Sequence, residues 1–278
     1  MNCTYITSRT NQRVAETASL NEKKFRDRLG LFRFDGKKLF REAVACGVGI
    51  RSVFIDGSRS ESLLPEVEGY LPDGQVYILS EAAFERLSDE RAPEGIITVA
   101  ERISSIHITA AGSGVSLGDI LPGPEAGRII ALESVRDPGN LGTVIRTAAA
   151  FGTDTLLLSS DCADIYNPKT VRAAMGALFS RRIIRVPDMG AAVTVLREQG
   201  HRVFATALMP DALEFGSFGL KNGDVFVIGN EGHGLSDGTI KKCDAPVFIP
   251  MMTGPGIESL NAATAASVIM YEQGKTRT

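Results

Sequence analysis

Tryptophan is absent, and histidine occurs only three times, as His107, His201 and His233, far apart in the chain. The four cysteines, Cys3, Cys46, Cys162 and Cys243, form no CxxC pair. A structural zinc site and a disulfide framework are therefore not expected, and no metal cofactor is implied. Long apolar runs are missing as well. Stretches such as Leu156-Leu157-Leu158 are short, so no membrane-spanning helix is expected. The first residues, MNCTYITSRTNQR, lack an apolar signal core, which points to a cytoplasmic protein. Positive charge is not in excess either: 30 Lys+Arg stand against 33 Asp+Glu, a net charge of −3. No global basic field marks a nucleic-acid partner.

What is present is a chain of 278 residues, 44% hydrophobic and 23% charged. That is enough for a sizeable core, and at about 150 residues per domain it suggests roughly two domains. The near-neutral total hides an asymmetry. Residues 1–59 carry twelve Lys/Arg against six Asp/Glu, and residues 60–102 carry three against ten. A second basic cluster, Lys169, Arg172, Arg181, Arg182 and Arg185, has no acid between Tyr166 and Pro187. Either run alone reads as a solvated helix face. Two of them on a mildly acidic protein favour local phosphate contact.

The first hundred residues alternate helix-like and strand-like segments. Asn11 to Arg28 reads as one charged helix, and Lys37 to Cys46 as another stopped by Gly47. Val53–Ile55, Val76–Leu79 and Ile96–Ala100 read as strands, with a helix over Ser80 to Leu87. Residues 103–127 are rich in Ser, Gly and Pro and read as a linker. Then alternation restarts, with strands expected at Arg128–Leu132, Thr155–Leu158, Arg182–Val186, Arg202–Thr206, Asp224–Ile228 and Ala245–Ile249. Helical patterns lie between most of them: Leu141–Phe151, Pro168–Phe179, Met189–Gln199, Ser236–Cys243 and Ser259–Tyr271. Short apolar strands alternating with helices imply an α/β fold with a parallel sheet covered on both faces. Residues 1–102 would form one α/β domain and residues 128–278 the other.

In such sheets ligands bind where strand C-terminal ends meet helix N-termini, and three loops there are unusual. The first, Asp137-Pro138-Gly139-Asn140-Leu141-Gly142, is a tight turn in which Asn140 is a good N-cap. If Leu141 opens the helix, Arg146 lies on its second turn and reaches back toward the strand ends. An ordinary turn with a surface arginine is the alternative. The second, Gly229-Asn230-Glu231-Gly232-His233-Gly234, has G-x-x-G-x-G spacing rather than the dinucleotide fingerprint, and Glu231 would repel a pyrophosphate. Its glycines permit close approach of backbone to a ligand such as adenosine. The third runs from Ile249 through Ser259-Leu260-Asn261 into a helix of small residues, AATAASVIMYE. Ser259 or Asn261 would cap that helix, whose small surface permits close approach of a partner helix.

DPGNLGTVIRTAAAFG, VFVIGNEGHGLS and FIPMMTGPGIESLNAATAASVIMYE resemble, in order and spacing, the three signature motifs of the SpoU (TrmH-like) branch of the SPOUT methyltransferases. NPKTVRAAMGALF resembles the segment between them, so the likeness covers about residues 128–274. More loosely, residues 5–100 resemble the L30e-like substrate-binding domain that often precedes it, including RLSDERAPEGIITVAE. The resemblance implies a C-terminal parallel sheet threaded into a deep trefoil knot, which periodicity could not show. It also implies a homodimer that binds S-adenosylmethionine and methylates RNA ribose 2′-hydroxyls. The matching positions are Leu208, Gly229, Ile249, Met251 and Leu260 for the cofactor. Asn140, Arg146, Glu231, Ser259 and Asn261 match the catalytic and substrate-positioning residues. Two departures stand out: the third motif is about two residues longer through Thr253–Ile257, and SLN is followed by Ala262-Ala263-Thr264 where a second serine is common.

The chemistry fits these residue types. A ribose hydroxyl is a weak nucleophile and a sulfonium methyl a strong electrophile, so in-line placement is the main requirement. Arg146 would hold the target phosphate or hydroxyl, while Asn140, Ser259 and Asn261 orient it. Arg13, Lys37, Lys38 and Arg172 are the expected RNA contacts. The basic N-terminal domain favours rRNA over tRNA. A non-catalytic RNA-binding protein is the alternative of a different class, and intact Asn140, Arg146, Glu231 and Asn261 argue against it. A nucleotide-binding oxidoreductase is disfavoured by the glycine spacing.

Overall fold

The computed structural model describes residues 3–72, 74–88, 92–104, 106–108, 116–230, 232–252 and 259–275. The chain forms two compact units, Met1–Ser104 with Asp164–Phe179 and Ser105–Ala163 with Ser180–Thr278. The first holds strands β1 (Thr4–Ile6), β2 (Leu31–Asp35), β3 (Ile50–Asp56), β4 (Val76–Leu79) and β5 (Ile96–Glu101). The second holds β6 (Ile106–Ile108), β7 (Ile129–Leu132), β8 (Thr155–Ser159), β9 (Arg182–Val186) and β10 (Val203–Thr206). Its remaining strands are β11 (Leu213–Glu214), β12 (Val225–Ile228) and β13 (Ala245–Phe248). The helices, in chain order, are α1 (Gln12–Ser19), α2 (Lys23–Leu29), α3 (Lys37–Ala45), α4 (Ser60–Val67) and α5 (Glu81–Glu85). They continue with α6 (Leu117–Ile120), α7 (Pro138–Phe151), α8 (Pro168–Ala174), α9 (Met189–Glu198), α10 (Asp237–Ile240) and α11 (Ala262–Lys275).

In the first unit the sheet order is β1-β4-β3-β5-β2, parallel over the first three strands and antiparallel over the rest. One face buries Val14, Leu20, Phe84 and Val99, and the other buries Phe40, Leu63, Val67 and Ile96. The helix expected over Asn11–Arg28 is broken in two at Leu20–Glu22. The cause is Arg26, only 2% exposed, whose Nη1 donates to the carbonyls of Leu20 and Asn21 at 2.7 Å each. Its Nη2 reaches Asp164 Oδ2 at 2.6 Å, which ties the Asp164–Phe179 segment to this unit. Tyr166 packs on Phe32 and Phe179 on Phe34, with ring centroids 4.7 and 5.3 Å apart. The helix expected over Pro168–Phe179 stops at Ala174, because Met175 takes φ +52°, and a 3₁₀ turn follows.

The second unit is an eight-stranded sheet, β11-β13-β10-β12-β7-β8-β9-β6, with every pairing parallel. Residues 103–127 are therefore more than a linker: they supply edge strand β6 and helix α6. One face of the sheet packs Ala131, Leu157, Ile184, Ala205 and Val227 against Met189, Val193 and Leu196 of α9. α11 packs against α7 and β12. Its small side chains Ala262, Ala263 and Ala266 are buried. α7 of the same chain is thus one partner helix of that small surface.

Candidate active site

In a parallel sheet the loops that leave the strand C-terminal ends converge, and here three of them enclose a cleft of about 570 Å³. They follow β10, β12 and β13, and Ser259, Leu260 and α11 close the remaining side. The volume lies in the range of small-molecule sites. Leu208, Gly229, Ile249, Met251 and Leu260, the five positions expected at the cofactor, all line it. Leu208 is 66% exposed, a large apolar side chain held at the rim.

The glycine loop is built by its own backbone. Asn230 and Gly234 exchange two main-chain hydrogen bonds of 3.1 and 2.8 Å, and Gly234 sits at φ +69°. The Asn230 side-chain oxygen accepts from the amides of Gly232 and His233. A Cβ on Gly229 would come within 2.5 Å of the Leu235 nitrogen and 2.6 Å of the Gly234 oxygen. Glycine is required there by the loop itself, with no appeal to a ligand.

Two side chains that the sequence did not single out connect this loop to the one after β7. Asn230 Nδ2 donates to the Ser134 carbonyl at 2.9 Å. The Glu133 carboxylate accepts from Ser236 N, Ser236 Oγ and Thr239 Oγ1, which fixes the start of α10. Ser134 lies at φ +57°, rare for a residue with a Cβ. Its amide donates to Ser159 Oγ and its hydroxyl to Asp161 Oδ2, which hold it there. Burial pushes the Asp161 carboxyl up, but hydrogen bonds from Ser134, Ser159 and Arg136 together outweigh that and bring it down to about 2. The carboxylate is therefore a permanent anion anchoring the strained loop. Burial pushes the Cys243 thiol up to about 12 and that of Cys162 above its ordinary value, so neither is a ready nucleophile.

α7 begins earlier than expected. Asp137, not Asn140, is its N-cap, accepting from the Asn140 amide at 2.8 Å, with Pro138 in the first turn. That frees the Asn140 side chain, whose Oδ1 accepts from Asn261 Nδ2 at 3.2 Å. Asn261 caps α11 through Oδ1, which accepts from Ala263 N at 2.9 Å, so the first and third loops meet at an asparagine pair. Ser259 lines the cleft. Glu231 and the lengthened Thr253–Ile257 stretch lie outside the described residues.

Arg146 falls on the third turn of α7, not the second. It lies about 9 Å along the axis from Asn140 and about 120° around it. It is exposed, lines no part of the cleft, and makes no hydrogen bond or ion pair among the described residues.

The basic cluster divides. Arg182 donates to the Ile120 carbonyl and Arg181 to that of Thr153; Arg185 donates to those of Ser160, Cys162 and Ala163. These three hold loops of the second unit together. Lys169 and Arg172 belong to the first unit, and Arg172 is exposed beside Phe34, Asp35, Leu39 and Pro168. Lys37 pairs with Glu66, Lys38 is exposed, and Arg13 is exposed with its guanidinium over the Tyr77 ring.

Comparison with known proteins gives the same pattern over both units. Residues 127–271 match the model of the SpoU rRNA Methylase family, and residues 11–98 match the MRM3-like substrate binding domain. A 23S rRNA (guanosine(2553)-2'-O)-methyltransferase, RlmP of Bacillus subtilis, is 30% identical over 96% of this chain and 97% of its own. A 23S rRNA (uridine(2479)-2'-O)-methyltransferase of Streptomyces viridochromogenes is also 30% identical, over 98% and 92%. An AdoMet-bound rRNA methyltransferase structure from Sinorhizobium meliloti superposes with a TM-score of 0.81 at 28% identity, covering 99% of each chain.

Proposed function

The chain belongs to the SpoU rRNA methylase family, and from that premise we propose that it transfers a methyl group from S-adenosylmethionine to a ribose 2′-hydroxyl of rRNA. The observation that carries this reading is the cleft over β10, β12 and β13, walled by Leu208, Gly229, Ile249, Met251 and Leu260. Apolar walls with the Gly229 backbone in the lining suit an adenosine, and the side at Leu208 and Met251 suits a flexible methionine tail. When bound, S-adenosylmethionine supplies an electrophilic methyl carried on a sulfonium.

The chain's own residues then place the acceptor. Asn140, Ser259 and Asn261 offer neutral donors and acceptors to the ribose, and Glu231, matched to the same motifs, adds a carboxylate. Arg146 brings a planar guanidinium fork of hydrogen-bond donors. Its task is to orient the 2′-hydroxyl and stabilise the developing alkoxide, with the proton leaving late or through the phosphate. Arg13, Lys37, Lys38 and Arg172 supply phosphate contacts from the first unit. Each contact removed should reduce the slope of log K against log salt by about 0.7 to 0.9.

The same reading includes a trefoil-threaded sheet, a cytoplasmic site of action and a homodimer. Arg146, exposed, unpaired among the described residues and not among those that line the cleft, supports the dimer, because a second copy can bring its Arg146 to this cleft. Light scattering should give about twice the chain mass of 29.7 kDa at micromolar concentration; a monomer mass refutes the dimer.

The test of the function is methylation of rRNA and tRNA from a strain lacking the protein, with labelled S-adenosylmethionine and mass spectrometry of the product. One ribose methyl in rRNA is expected. Label on a base, in tRNA alone, or in neither RNA counts against the reading.

A further inference from the structure

The glycine loop between β12 and α10 forms much of the cleft wall, and Glu133, just after β7, holds that loop at both ends. At its entry, β7 and β12 pair in register from Ile129 with Val225 to Leu132 with Ile228. The Glu133 amide adds one rung, donating to the Ile228 carbonyl at 2.9 Å, immediately before Gly229. At its exit the Glu133 carboxylate takes three bonds. Oε2 accepts from Ser236 N at 3.1 Å, and Oε1 accepts from Ser236 Oγ at 2.9 Å and Thr239 Oγ1 at 2.8 Å. Glu133 is not among the residues that line the cleft, but Leu235, Asp237 and Ile240, which flank its partners, are.

The exit needs such a brace. α10 has only 4 residues, too few to persist as a helix on its own, so its place is set from outside. Ile240, at its far end, packs against the core cluster that includes Met189, Val193 and Leu196 of α9. The near end, Ser236 and Asp237, is exposed, and there the bonds to Glu133 hold it. A carboxylate that accepts from an amide and two hydroxyls is a strong anchor. The middle of the loop is closed by the Asn230–Gly234 main-chain pair. A ligand entering the cleft thus meets a wall already in place, and little of its binding energy is lost to ordering that wall.

We infer that Glu133 is a positioning residue for the methyl donor: through Ser236 and Thr239 it sets the affinity for S-adenosylmethionine without entering the transfer step. The inference rests on the methyltransferase reading above and adds to it a residue outside the cleft that governs cofactor binding. Its signature is opposite to that of a group touching the reacting hydroxyl, whose loss lowers the rate at saturating cofactor.

The experiment uses the whole chain as wild type, Glu133→Gln, Ser236→Ala and the double variant. Calorimetry reads S-adenosylmethionine binding. Steady-state methylation of rRNA from a strain lacking the protein reads kcat and the KM of each substrate. Glutamine keeps the size of the side chain, but its Nε2 cannot accept from the Ser236 amide. In Glu133→Gln the Kd and the KM for S-adenosylmethionine should rise about tenfold, the scale of losing a hydrogen bond to a charged group. The kcat and the KM for rRNA should stay at wild type. Ser236→Ala breaks the same brace from its other end, and it should show the same split even if Glu133→Gln fails to fold. The double variant should bind little more weakly than the worse single variant, because both lesions act on one contact. Effects that multiply would mean that the two residues act apart, and they overturn the proposal. An equal loss of kcat or of RNA affinity also overturns it, since general loosening of the fold produces that pattern. Unchanged cofactor affinity in the variants of a wild type that binds overturns this inference alone. A wild type that binds no S-adenosylmethionine overturns the methyltransferase reading and this inference with it.

Discussion

Replacing Arg146 by alanine should lower the single-turnover rate of methyl transfer by at least about 10²-fold, the scale of one electrostatic contact to a developing oxyanion. Binding of S-adenosylmethionine should be unchanged, because Arg146 lines no part of the cleft. Stability should be unchanged too, since the side chain is exposed and makes no hydrogen bond or ion pair among the described residues. Arg146→Lys should recover little: a point charge on a flexible stem lacks the planar fork that grips a hydroxyl and a phosphate together. The measurement is a single-turnover assay at saturating RNA and cofactor, which separates chemistry from binding. A wild-type rate for Arg146→Ala under those conditions would make Arg146 a surface residue and end its catalytic assignment.

How much of this was legible in the sequence depends on what kind of signal each feature leaves. The core strands of both sheets leave short runs of branched apolar residues, and their expected positions agree with β3, β4, β5, β7 and β8 to within a few residues. Features made by one side chain acting at a distance leave none. Arg26 reads as a surface cation on a charged helix, yet it is buried, splits that helix and brings Asp164 to the first unit. Arg181, Arg182 and Arg185 read as a phosphate patch because an unpaired cation and one bound to carbonyls look alike in sequence. At the active site the glycine loop and the residues around it are recognisable from their motifs. Glu133 and Asn230, which fasten that loop to its neighbours, could not be found this way, because their partners are backbone groups and hydroxyls on other loops. The start of α7 was legible in principle: Asp137 followed by Pro138 is a stronger cap-and-first-turn signal than Asn140.

Gly229→Ala should abolish measurable S-adenosylmethionine binding, for a reason different from the one the motif suggests. The added methyl would meet the loop's own Leu235 nitrogen and Gly234 oxygen at 2.5 and 2.6 Å, so backbone must move before any ligand arrives. Gly229 precedes Asn230, whose side chain links the loop to Ser134. Displacement should therefore reach the first loop as well. Isothermal calorimetry reads the loss, and undiminished binding would show that the loop yields more easily than its hydrogen bonds imply. This lesion and Arg146→Ala together test where the arginine acts. Each variant alone should be inactive, one lacking the cofactor and the other the charge. If Arg146 serves its partner's cleft, a mixed dimer has one complete site, formed by the intact cleft of the Arg146→Ala chain and the intact arginine of the Gly229→Ala chain. Co-expression at equal levels makes half the dimers mixed, each with one such site, so activity should return to about a quarter of wild type. If Arg146 serves its own cleft, no combination of the two chains contains a complete site, and the mixture stays as inactive as its parts.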